Sequence, residues 1–515
     1  MISKKNKIWR LNFAVNNAQY HMITPNASDM TFYVADAFRG ILREVICVQK
    51  GNDNIASYVP VAQLRALIDK TLDLIQSNPQ LIAEIHHSTV KKCQDYFTYA
   101  RSLLKVDFRK LSKEELISVY ELLLYHQQGH HGFSIATTWF VDSDGEDFSK
   151  LLLDKVKKIV GGSRYEASDV FSILTTPNKI SLAAQEEKES LEILKLIQAD
   201  KEAKKIFNFD NVDNIEKKLL KINLGLRRKM LKHFKKWRWT PFTYTGPAYD
   251  LDYYLSIWSG WVKEDINIDV KIASFINYSH AVKSKKEKII KSLHINKNDQ
   301  SLFKIAEDII YLKAYRKDAL YFGMYVLDGL LREIAIRLQL SLQQVRFMAF
   351  WEIPQAIRDG YFSEKVLNDR RNFSVFYQKD DKGVIYTGVS AKKFLAKLKL
   401  EKVKVKSASE IVGTVACPGM AKGIIKIINN PNEMSKMDKG NIMVAHTTYP
   451  ALVPAMKKAA AIITDDGGIT CHAAIVSREL NIPCIVGTKT VTKVLHDGDF
   501  VHVDAGRGIV KIIKK

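Results

Sequence analysis

One short segment constrains the fold of this chain more than any other, and it lies between residues 459 and 487. Residues 459–464 are apolar, Gly467 and Gly468 follow, and the apolar spacing from Thr470 onward is that of a helix. Another apolar run closes the segment. This order predicts a strand, a glycine turn, a helix and a second strand.

His472 stands in the first turn of the predicted helix. Unpaired N–H groups and the positive end of the helix dipole favour an anion at that place, such as a phosphoryl group carried on the imidazole. Gly467 and Gly468 allow a tight turn that approaches the ring, and the small Ala473 leaves space beside it. A lone histidine at a helix start is more often structural, so the surrounding residues have to decide.

Those residues resemble the phosphohistidine domain, also called the swivelling or mobile domain, of the phosphoenolpyruvate (PEP)-utilising enzymes. The family includes PEP synthase, pyruvate phosphate dikinase, rifampicin phosphotransferase and phenylphosphate synthase. Its pattern, Thr-Asp-x-Gly-Gly-x-Thr-(Ser/Cys)-His-Ala-Ala-Ile-Val-(Ala/Ser)-Arg-x-Leu-x-Ile-Pro, is matched nearly throughout. Residues 413–423, 442–456 and 498–510 resemble its entry segment, the strand and helix before the histidine, and its closing hairpin. The resemblance covers about the last fifth of the chain.

The resemblance implies a role for each residue of the motif. His472 would carry the phosphoryl group, and Thr470 with the N–H groups of the following turn would hold its oxygens. Cys471 stands where the family also uses serine, which implies a small packing or hydrogen-bonding residue rather than a nucleophile. Arg478 is either a charge clamp or a surface residue in a salt bridge, and both readings stay open.

The composition of the 515 residues, 46% hydrophobic and 26% charged, is typical of a soluble globular protein. The net charge of +22 invites a nucleic-acid interpretation, but the lysines are spread along the chain and mixed with acids, which favours a solvated surface. Five cysteines without paired spacing predict neither disulfides nor a zinc site. No signal peptide and no apolar membrane span is evident, so we expect a cytoplasmic protein.

We predict a multi-domain fold, with a large, mainly α-helical N-terminal region and a C-terminal β/β/α swivelling domain. The helical region would be residues 1–388, with a break between subdomains near 160–236, and residues 389–409 would be a lysine-rich hinge before the domain at 410–515. Near the N-terminus, residues 8–15 and 31–34 have a strand pattern, and residues 37–48 have a helical one.

Three groups in the helical region are candidates for substrate contact. Among His126, His130 and His131, only the first two share a helix face, and no ligand-type residue lies at a matching interval, so ordinary packing is favoured over a metal or substrate role. The aromatic residues from 237 to 261 are more often core, although they could also line an apolar cavity. A third group, of three arginines, could bind an anion, but we interpret it as a solvated helix face. Its members are Arg316, Arg332 and Arg337.

From the residues present we expect neither an ATP-grasp nucleotide-binding domain nor the PEP barrel of the larger family members. The resemblance then implies a split enzyme, as in phenylphosphate synthase. A separate ATP-grasp subunit, using ATP and Mg²⁺, would phosphorylate His472, and the helical region would bind a hydroxyl or enol acceptor. Two alternatives stay open: a phosphocarrier or regulatory module without acceptor chemistry, and a nucleic-acid-binding protein. A cavity within reach of His472 would favour the transferase.

Overall fold

The computed structural model of the protein contains two β-sheets, one built mainly from the start of the chain and one from its end. Helices form most of the sequence between them. The described residues are 7–15, 19–51, 54–143, 147–209, 212–263, 267–401, 410–429, 431–448, 452–465, 467, 471–488 and 490–514. No helix within these ranges is long and apolar enough to cross a membrane.

The first sheet takes its strands from both ends of the N-terminal region. They are β1 Ile8–Val15, β2 Glu44–Lys50, β3 Asn54–Pro60, β4 Phe373–Lys379, β5 Lys382–Thr387 and β6 Lys399–Leu400. Their order across the sheet is β5-β4-β2-β3-β1-β6, with β6 parallel to β1 and the other neighbours antiparallel. The pairing of β6 with β1 joins the end of this region to its beginning.

The helices of the N-terminal region pack around one large apolar core. They are α1 Tyr20–Thr31, α2 Val61–Ser77, α3 Pro79–Leu103, α4 Lys113–Gly132, α5 Ile135–Thr138, α6 Asp147–Val160, α7 Ala167–Thr175, α8 Leu182–Ala199, α9 Lys201–Phe209, α10 Val212–Ile222, α11 Leu224–Trp237, α12 Leu251–Lys263, α13 Ile268–Ser292, α14 Lys297–Arg337, α15 Leu342–Val345, α16 Ile353–Asp359, α17 Glu364–Asn372 and α18 Gly388–Ala396.

Helix α14 is the longest of these and positions the residues that face the C-terminal domain. It has 41 residues, which makes it about 60 Å long at 1.5 Å per residue. Asn296 caps its start by accepting a hydrogen bond from the Asp299 N–H at 2.9 Å. Its last turn ends at Arg337, and Gln339 then takes a positive φ of 55°. Packing against α3 and α4 fixes the helix in the core.

Gly323 is required where α14 crosses α3. A Cβ atom at this position would lie 1.8 Å from the hydroxyl oxygen of Tyr96, whose side chain is fully buried. We expect Gly323→Ala to lower the free energy of unfolding by about 2–3 kcal/mol, because the ring cannot move without disturbing its neighbours. Gly329→Ala on the same helix is the control: its Cβ would meet Phe108 at an ordinary 3.7 Å. Urea denaturation of both variants measures the difference, and equal stabilities would contradict the packing argument.

The second sheet forms the C-terminal domain. Its elements are β7 Glu410–Val412, β8 Thr414–Cys417, β9 Met420–Ile427, β10 Ile442–Ala445, α19 Val453–Met456, β11 Ala461–Thr464, α20 His472–Leu480, β12 Cys484–Val486, α21 Val491–Val494, β13 Phe500–Asp504 and β14 Ile509–Lys514. The strand order is β7-β14-β13-β9-β10-β11-β12-β8, and the four strands from β9 to β12 run parallel.

The parallel strands are apolar at every position because helices and strands cover both faces of the sheet. In β10, Met443 belongs to the core cluster that also contains residues of α19 and α20, whereas Ile442 and Val444 point into a second cluster on the other face. All four residues of β10 and of β11 are buried. This explains why residues 459–464 read as an apolar run and not as an alternating strand.

The predicted division into a helical N-terminal region and a C-terminal domain with a mixed sheet is confirmed. Two local predictions are wrong. Residues 37–48 were predicted to be helical, but residues 44–50 form β2, whose Val45 and Ile46 are fully buried between β3 and β4. Residues 31–34 are not a strand, because Thr31 is the last residue of α1 and residues 32–34 form the turn after it. Sheet pairing overrides the local pattern in the first case, as β-branched residues favour it.

The predicted hinge lies partly within the described residues. Residues 389–409 were predicted to be a hinge, and their first part continues α18 and forms β6. Ile8 and Trp9 of β1 pair with Lys399 and Leu400, so this part belongs to the first sheet. Residues 402–409 lie outside the described residues. The domain boundaries themselves remain a prediction.

Candidate active site

His472 is the first residue of α20, and the helix start follows the turn after β11. Cys471 occupies the N-cap position with extended backbone, and no side chain caps the helix there. The first hydrogen bond of the helix runs from the Ile475 N–H to the Cys471 carbonyl at 3.0 Å. The N–H groups of the first turn therefore have no backbone acceptor within the helix, although those of Ala473 and Ala474 interact with the Cys471 thiol. They are the groups that an anion would bind.

Thr448 fixes the orientation of the His472 imidazole. Its Oγ1 lies 2.8 Å from His472 Nδ1, and its side chain is buried. One ring nitrogen is thereby used, which leaves Nε2 as the nitrogen available for chemistry. Sequence reasoning missed this contact. Thr448 is the last residue of a run that resembles the family pattern, but only the tertiary structure places it beside the His472 ring.

Burial keeps the imidazole neutral. It lowers the pKa of His472 to about 3, and the charge of Lys317 lowers that pKa further. At neutral pH the ring therefore carries no proton on its second nitrogen and can act as a nucleophile. Lys317 belongs to α14, so the N-terminal region contributes directly to the surroundings of His472.

Lys317 and Asp318 are neighbours on α14 that influence each other's charge, and Lys317 also acts on His472. Burial lowers the pKa of Lys317 to about 8, Cys471 and Asp318 raise it, and Lys313 and Arg316 lower it. Burial raises the pKa of Asp318 to about 8, against the opposing charge of Lys317. The Lys317 Nζ also lies 5.3 Å from the centre of the Trp139 ring. Neither residue was a sequence candidate, because both read as an ordinary polar part of a helix.

Gly467 and Cys471 meet in the turn before α20. Gly467 has a φ of 111°, and a Cβ on it would lie 2.6 Å from the Cys471 Sγ, so only glycine fits here. Burial raises the pKa of the Cys471 thiol, which keeps it protonated and agrees with a packing role. Gly468 and Thr470 lie outside the described residues, so their predicted roles remain predictions.

The remaining motif residues anchor α20 to the sheet. Ala473 is buried in the core cluster between α20 and the sheet, where it packs instead of leaving an open space beside the ring. Arg478 donates from Nε to the Ala416 carbonyl at 2.8 Å, and its buried Nη1 has no hydrogen-bond partner among the described residues. Burial lowers the pKa of this arginine. A solvated surface position is therefore excluded for Arg478, whereas a clamp role remains a prediction.

Asp465 directly follows β11 and contacts the segment after β12. It accepts hydrogen bonds from the Thr488 Oγ1 at 3.2 Å and from the Thr492 N–H at 3.3 Å, and His446 lies 3.6 Å away. Burial acts to raise the pKa of Asp465, but hydrogen bonds from His446 and Thr492 bring it below its usual value. The second residue of the family pattern therefore links the end of β11 to the segment after β12.

A cleft of about 570 Å³ opens where the N-terminal region meets the C-terminal domain. One wall comes from α7, α8, α13 and α14, and the other from Pro418, Ile475 and Arg478. Asp318 lines it, and so do Tyr311 and its neighbours along α14. The two regions also share an ion pair between Lys457 and Glu187 at 3.1 Å. A small molecule in this cleft would contact both regions at once.

The aromatic walls of the cleft are ordered by their own contacts. Tyr311 and Tyr315 stack at 5.4 Å between ring centres, and the Lys179 Nζ lies 4.9 Å from the centre of the Tyr311 ring. The Tyr278 hydroxyl donates to the Pro177 carbonyl at 3.1 Å. Aromatic rings, a guanidinium nitrogen of Arg478 without a hydrogen-bond partner among the described residues, and three acidic residues therefore surround the same space. The acidic residues are Asp169, Asp318 and Glu479.

The other sequence candidates lie elsewhere. His130 is fully buried and stacks on Tyr96 at 4.6 Å, and burial lowers its pKa to about 3. His131 lies 3.2 Å from the Asp29 carboxylate. These histidines are packing residues of the core, and no group of metal-ligating side chains is found among the described residues.

The aromatic residues around position 250 are core, as expected: Trp258 is fully buried and Trp237 nearly so. The interpretation of the three arginines as a solvated face is wrong for Arg316, which is only 2% exposed and donates to the His131 carbonyl. The prediction fails because neighbouring elements cover α14 on nearly all sides around Arg316. Arg332 and Arg337 pair with Asp328 and Glu333 one turn earlier.

Comparisons with known proteins agree with this geometry. Residues 437–508 match the family model of the PEP-utilising enzyme mobile domain. A probable phosphoenolpyruvate synthase of Archaeoglobus fulgidus is 58% identical over 98 residues, 19% of this chain and 13% of that protein. One of Methanothermobacter thermautotrophicus is 52% identical over 111 residues, 21% and 16% of the two chains. An uncharacterized phosphotransferase of Bacillus subtilis, YvkC, is 39% identical over 129 residues, 22% and 16%.

The sheet, the helix that starts at His472 and these matches together define a mobile domain at the end of the chain. The similarity to the mobile domain of the PEP-utilising enzymes is limited to this part of the chain. The chain spans less than a fifth of the length of the relatives named. Among solved structures, holo-form aconitase X from Thermococcus kodakaraensis aligns with 20% of this chain and 98% of its own, at 20% identity and a TM-score of 0.17, which supports no functional argument.

Proposed function

We propose that the protein is a phosphotransferase component in which His472 carries a phosphoryl group to a hydroxyl or enol acceptor bound in the cleft at the domain boundary. The donor would be ATP, bound with Mg²⁺ by a separate ATP-grasp subunit. The C-terminal domain would swing between that subunit and the cleft. We also propose a cytoplasmic location, because all five cysteines are free.

The first half-reaction would take place away from the N-terminal region. His472 Nδ1–H donates to the Thr448 hydroxyl in the tautomer that this requires, and the Nε2 lone pair attacks a phosphorus atom of the donor. The N–P bond forms as the P–O bond to the leaving group breaks. The N–H groups at the start of α20 would then bind the phosphoryl oxygens, as at other anion-binding helix ends. A neutral imidazole is the form that this step needs.

The second half-reaction would take place in the arrangement described above. The acceptor oxygen attacks the phosphorus, the N–P bond breaks, and the electron pair returns to Nε2. Lys317 would balance the charge on the transferring phosphoryl group. Asp318 would accept the proton of the acceptor hydroxyl, since it lines the cleft and its carboxylate form is accessible near pH 8. Tyrosine rings would hold the body of the acceptor.

One observation carries the proposal: Lys317 of the N-terminal region acts on the His472 imidazole, and the next residue, Asp318, lines a cleft that is also lined by Ile475, one turn after His472 on α20. A carrier or regulatory module would need a docking surface there, but it would not need such a cleft. No described residue identifies the partner protein or the natural acceptor. They follow from the resemblance to split enzymes.

The proposal is tested by supplying a donor and following the label. The chain is incubated with an ATP-grasp protein and ATP labelled at the β-phosphate, or with labelled PEP as the alternative donor. We expect acid-labile, base-stable label on the chain, which phenol or pyruvate then removes as a phosphorylated product. Label that no hydroxyl or enol compound removes would support the carrier module instead. No label from either donor would contradict both.

A further inference from the structure

A second cleft lies in the N-terminal region, away from His472. Its volume is about 780 Å³, and it is lined by the end of α3 with the loop after it, by residues 242 and 245–248, and by the part of α14 from Tyr325 to Arg332. Ten residues of α14 separate Asp318 from Asp328, which corresponds to about 15 Å along the helix axis. This cleft is therefore distinct from the one at the domain boundary.

Three guanidinium groups line this cleft against one carboxylate among the described lining residues. The arginines are Arg238, Arg332 and Arg346, and the carboxylate is Asp328. Arg332 Nη2 lies 2.9 Å from Asp328 Oδ2, and Arg346 Nη2 pairs with the other oxygen of the same carboxylate. One carboxylate cannot neutralise three guanidinium groups, so the cleft keeps an excess of positive charge.

Two of these arginines also have buried donors without an acceptor in the part of the chain that the structure describes. The Nε atoms of Arg238 and Arg346 are buried and have no hydrogen-bond partner among the described residues. The Arg346 side chain is only 11% exposed, so solvent reaches little of it. A buried, charged donor without an acceptor is costly. An anionic group in the cleft would supply the missing acceptors, as arginine pairs well with phosphate and carboxylate.

The other walls are apolar and aromatic. Phe108, Phe242 and Tyr325 line the cleft, and the last two meet edge to face at 5.6 Å between ring centres. Phe242 belongs to the aromatic segment after α11, which the sequence marked either as core or as the wall of a cavity. A ligand here would combine one anionic group for the arginines with an apolar body for the rings.

We propose that this cleft is a binding site for a small organic anion, with a phosphate or carboxylate group held by Arg238, Arg332 and Arg346 and an apolar or aromatic body against Phe108 and Phe242. The site does not depend on the function proposed for His472. Asp328 holds two of the arginines in place when the ligand is absent, and it competes with the ligand for them.

Calorimetric titration of the full chain tests the proposal with three probes: phenyl phosphate, benzoate and inorganic phosphate. We expect phenyl phosphate or benzoate to bind more tightly than inorganic phosphate, because only they offer an apolar body; which of the two binds more tightly identifies the anionic group. Arg332→Gln should weaken binding about fivefold, a modest effect because this side chain is 62% exposed. The control is Arg358→Gln, another partly exposed arginine paired with an acid, which should leave the affinity unchanged.

Asp328→Asn separates a ligand site from a structural salt bridge. Removal of the competing carboxylate should tighten phenyl phosphate binding about threefold while lowering the melting temperature, because it unpairs Arg346. His472→Ala should bind the probe like wild type. Equal affinities of the Arg332→Gln and Arg358→Gln variants, or binding that Lys317→Ala removes and Arg332→Gln leaves intact, would overturn the proposal. Arg332 lies at the surface, so folding of its variant is not in question.

Discussion

His472→Ala is expected to remove the acid-labile phosphoryl label from the chain and to reduce transfer to any acceptor by on the order of 10³-fold or more, because no other group can form the covalent intermediate. The ring is held by Thr448 at 2.8 Å and is kept neutral by burial. Alanine at the start of a helix is well tolerated, so the fold of the domain should survive.

The matched control for this experiment is His502→Ala. His502 lies on β13 of the same domain and is also only partly exposed, but it is not in the motif. We expect the His502→Ala variant to be labelled as strongly as the wild-type chain. Circular dichroism and the melting temperature of both variants establish that they are folded. Equal labelling of the His472→Ala variant and wild type would remove His472 from the mechanism.

Asp318→Asn is expected to separate the two half-reactions. Phosphorylation of His472 by the donor should stay near the wild-type rate, whereas transfer to phenol should fall by about 10²- to 10⁴-fold, the usual contribution of a general base. Asparagine has nearly the same shape as aspartate but cannot accept the proton. Asp308→Asn is the control, because Asp308 is on the same helix and pairs with Lys304 away from the cleft. Single-turnover chase of labelled protein measures the transfer step alone.

The pH dependence of the transfer step provides a second readout. Burial raises the pKa of Asp318 to about 8 and lowers the pKa of Lys317 to about 8. The carboxylate form of Asp318 increases as pH rises through this value, and the ammonium form of Lys317 is lost. We therefore expect a narrow, bell-shaped pH profile of the transfer rate, centred near pH 8, whose apparent pKa values belong to the pair. His472, with a pKa of about 3, adds no limb in this range.

Asp318→Asn should remove the rising limb of that bell, and Lys317→Met should remove the falling one. A structural role for Asp318 would instead lower the rate equally at every pH. If the Asp318→Asn variant loses both the labelling of His472 and the transfer to the acceptor, Asp318 stabilises the contact between the two regions. That result would contradict a role as general base.

Much of the C-terminal domain could be predicted from local chemistry. The apolar run before the turn is β11, the helix begins at His472 as expected, and Gly467 has the positive φ that its position requires. These features depend on neighbours in sequence: a glycine turn, a helix start and a buried parallel strand each have a short-range signature. The same holds for the long helix α14 and for the serine N-caps of α4 and α15.

Prediction failed where distant segments decide the outcome. Residues 44–50 form a strand because β3 and β4 flank them, and β4 lies more than 300 positions later in the chain. The contact of Thr448 with the histidine and the burial of Arg316 likewise depend on packing between separate elements. No local pattern marks such residues, because their environment is created only when the chain closes on itself.

The sequence by itself marked the candidate carrier: His472 at the start of a helix, in a motif whose Gly467 takes the positive φ that its position requires. Only the tertiary structure decided what faces that histidine. Lys317 and Asp318 are ordinary polar residues of a long helix until the C-terminal domain packs against them and removes them from water. That loss of solvent, rather than the identity of the residues, shifts their pKa values and gives them their proposed roles.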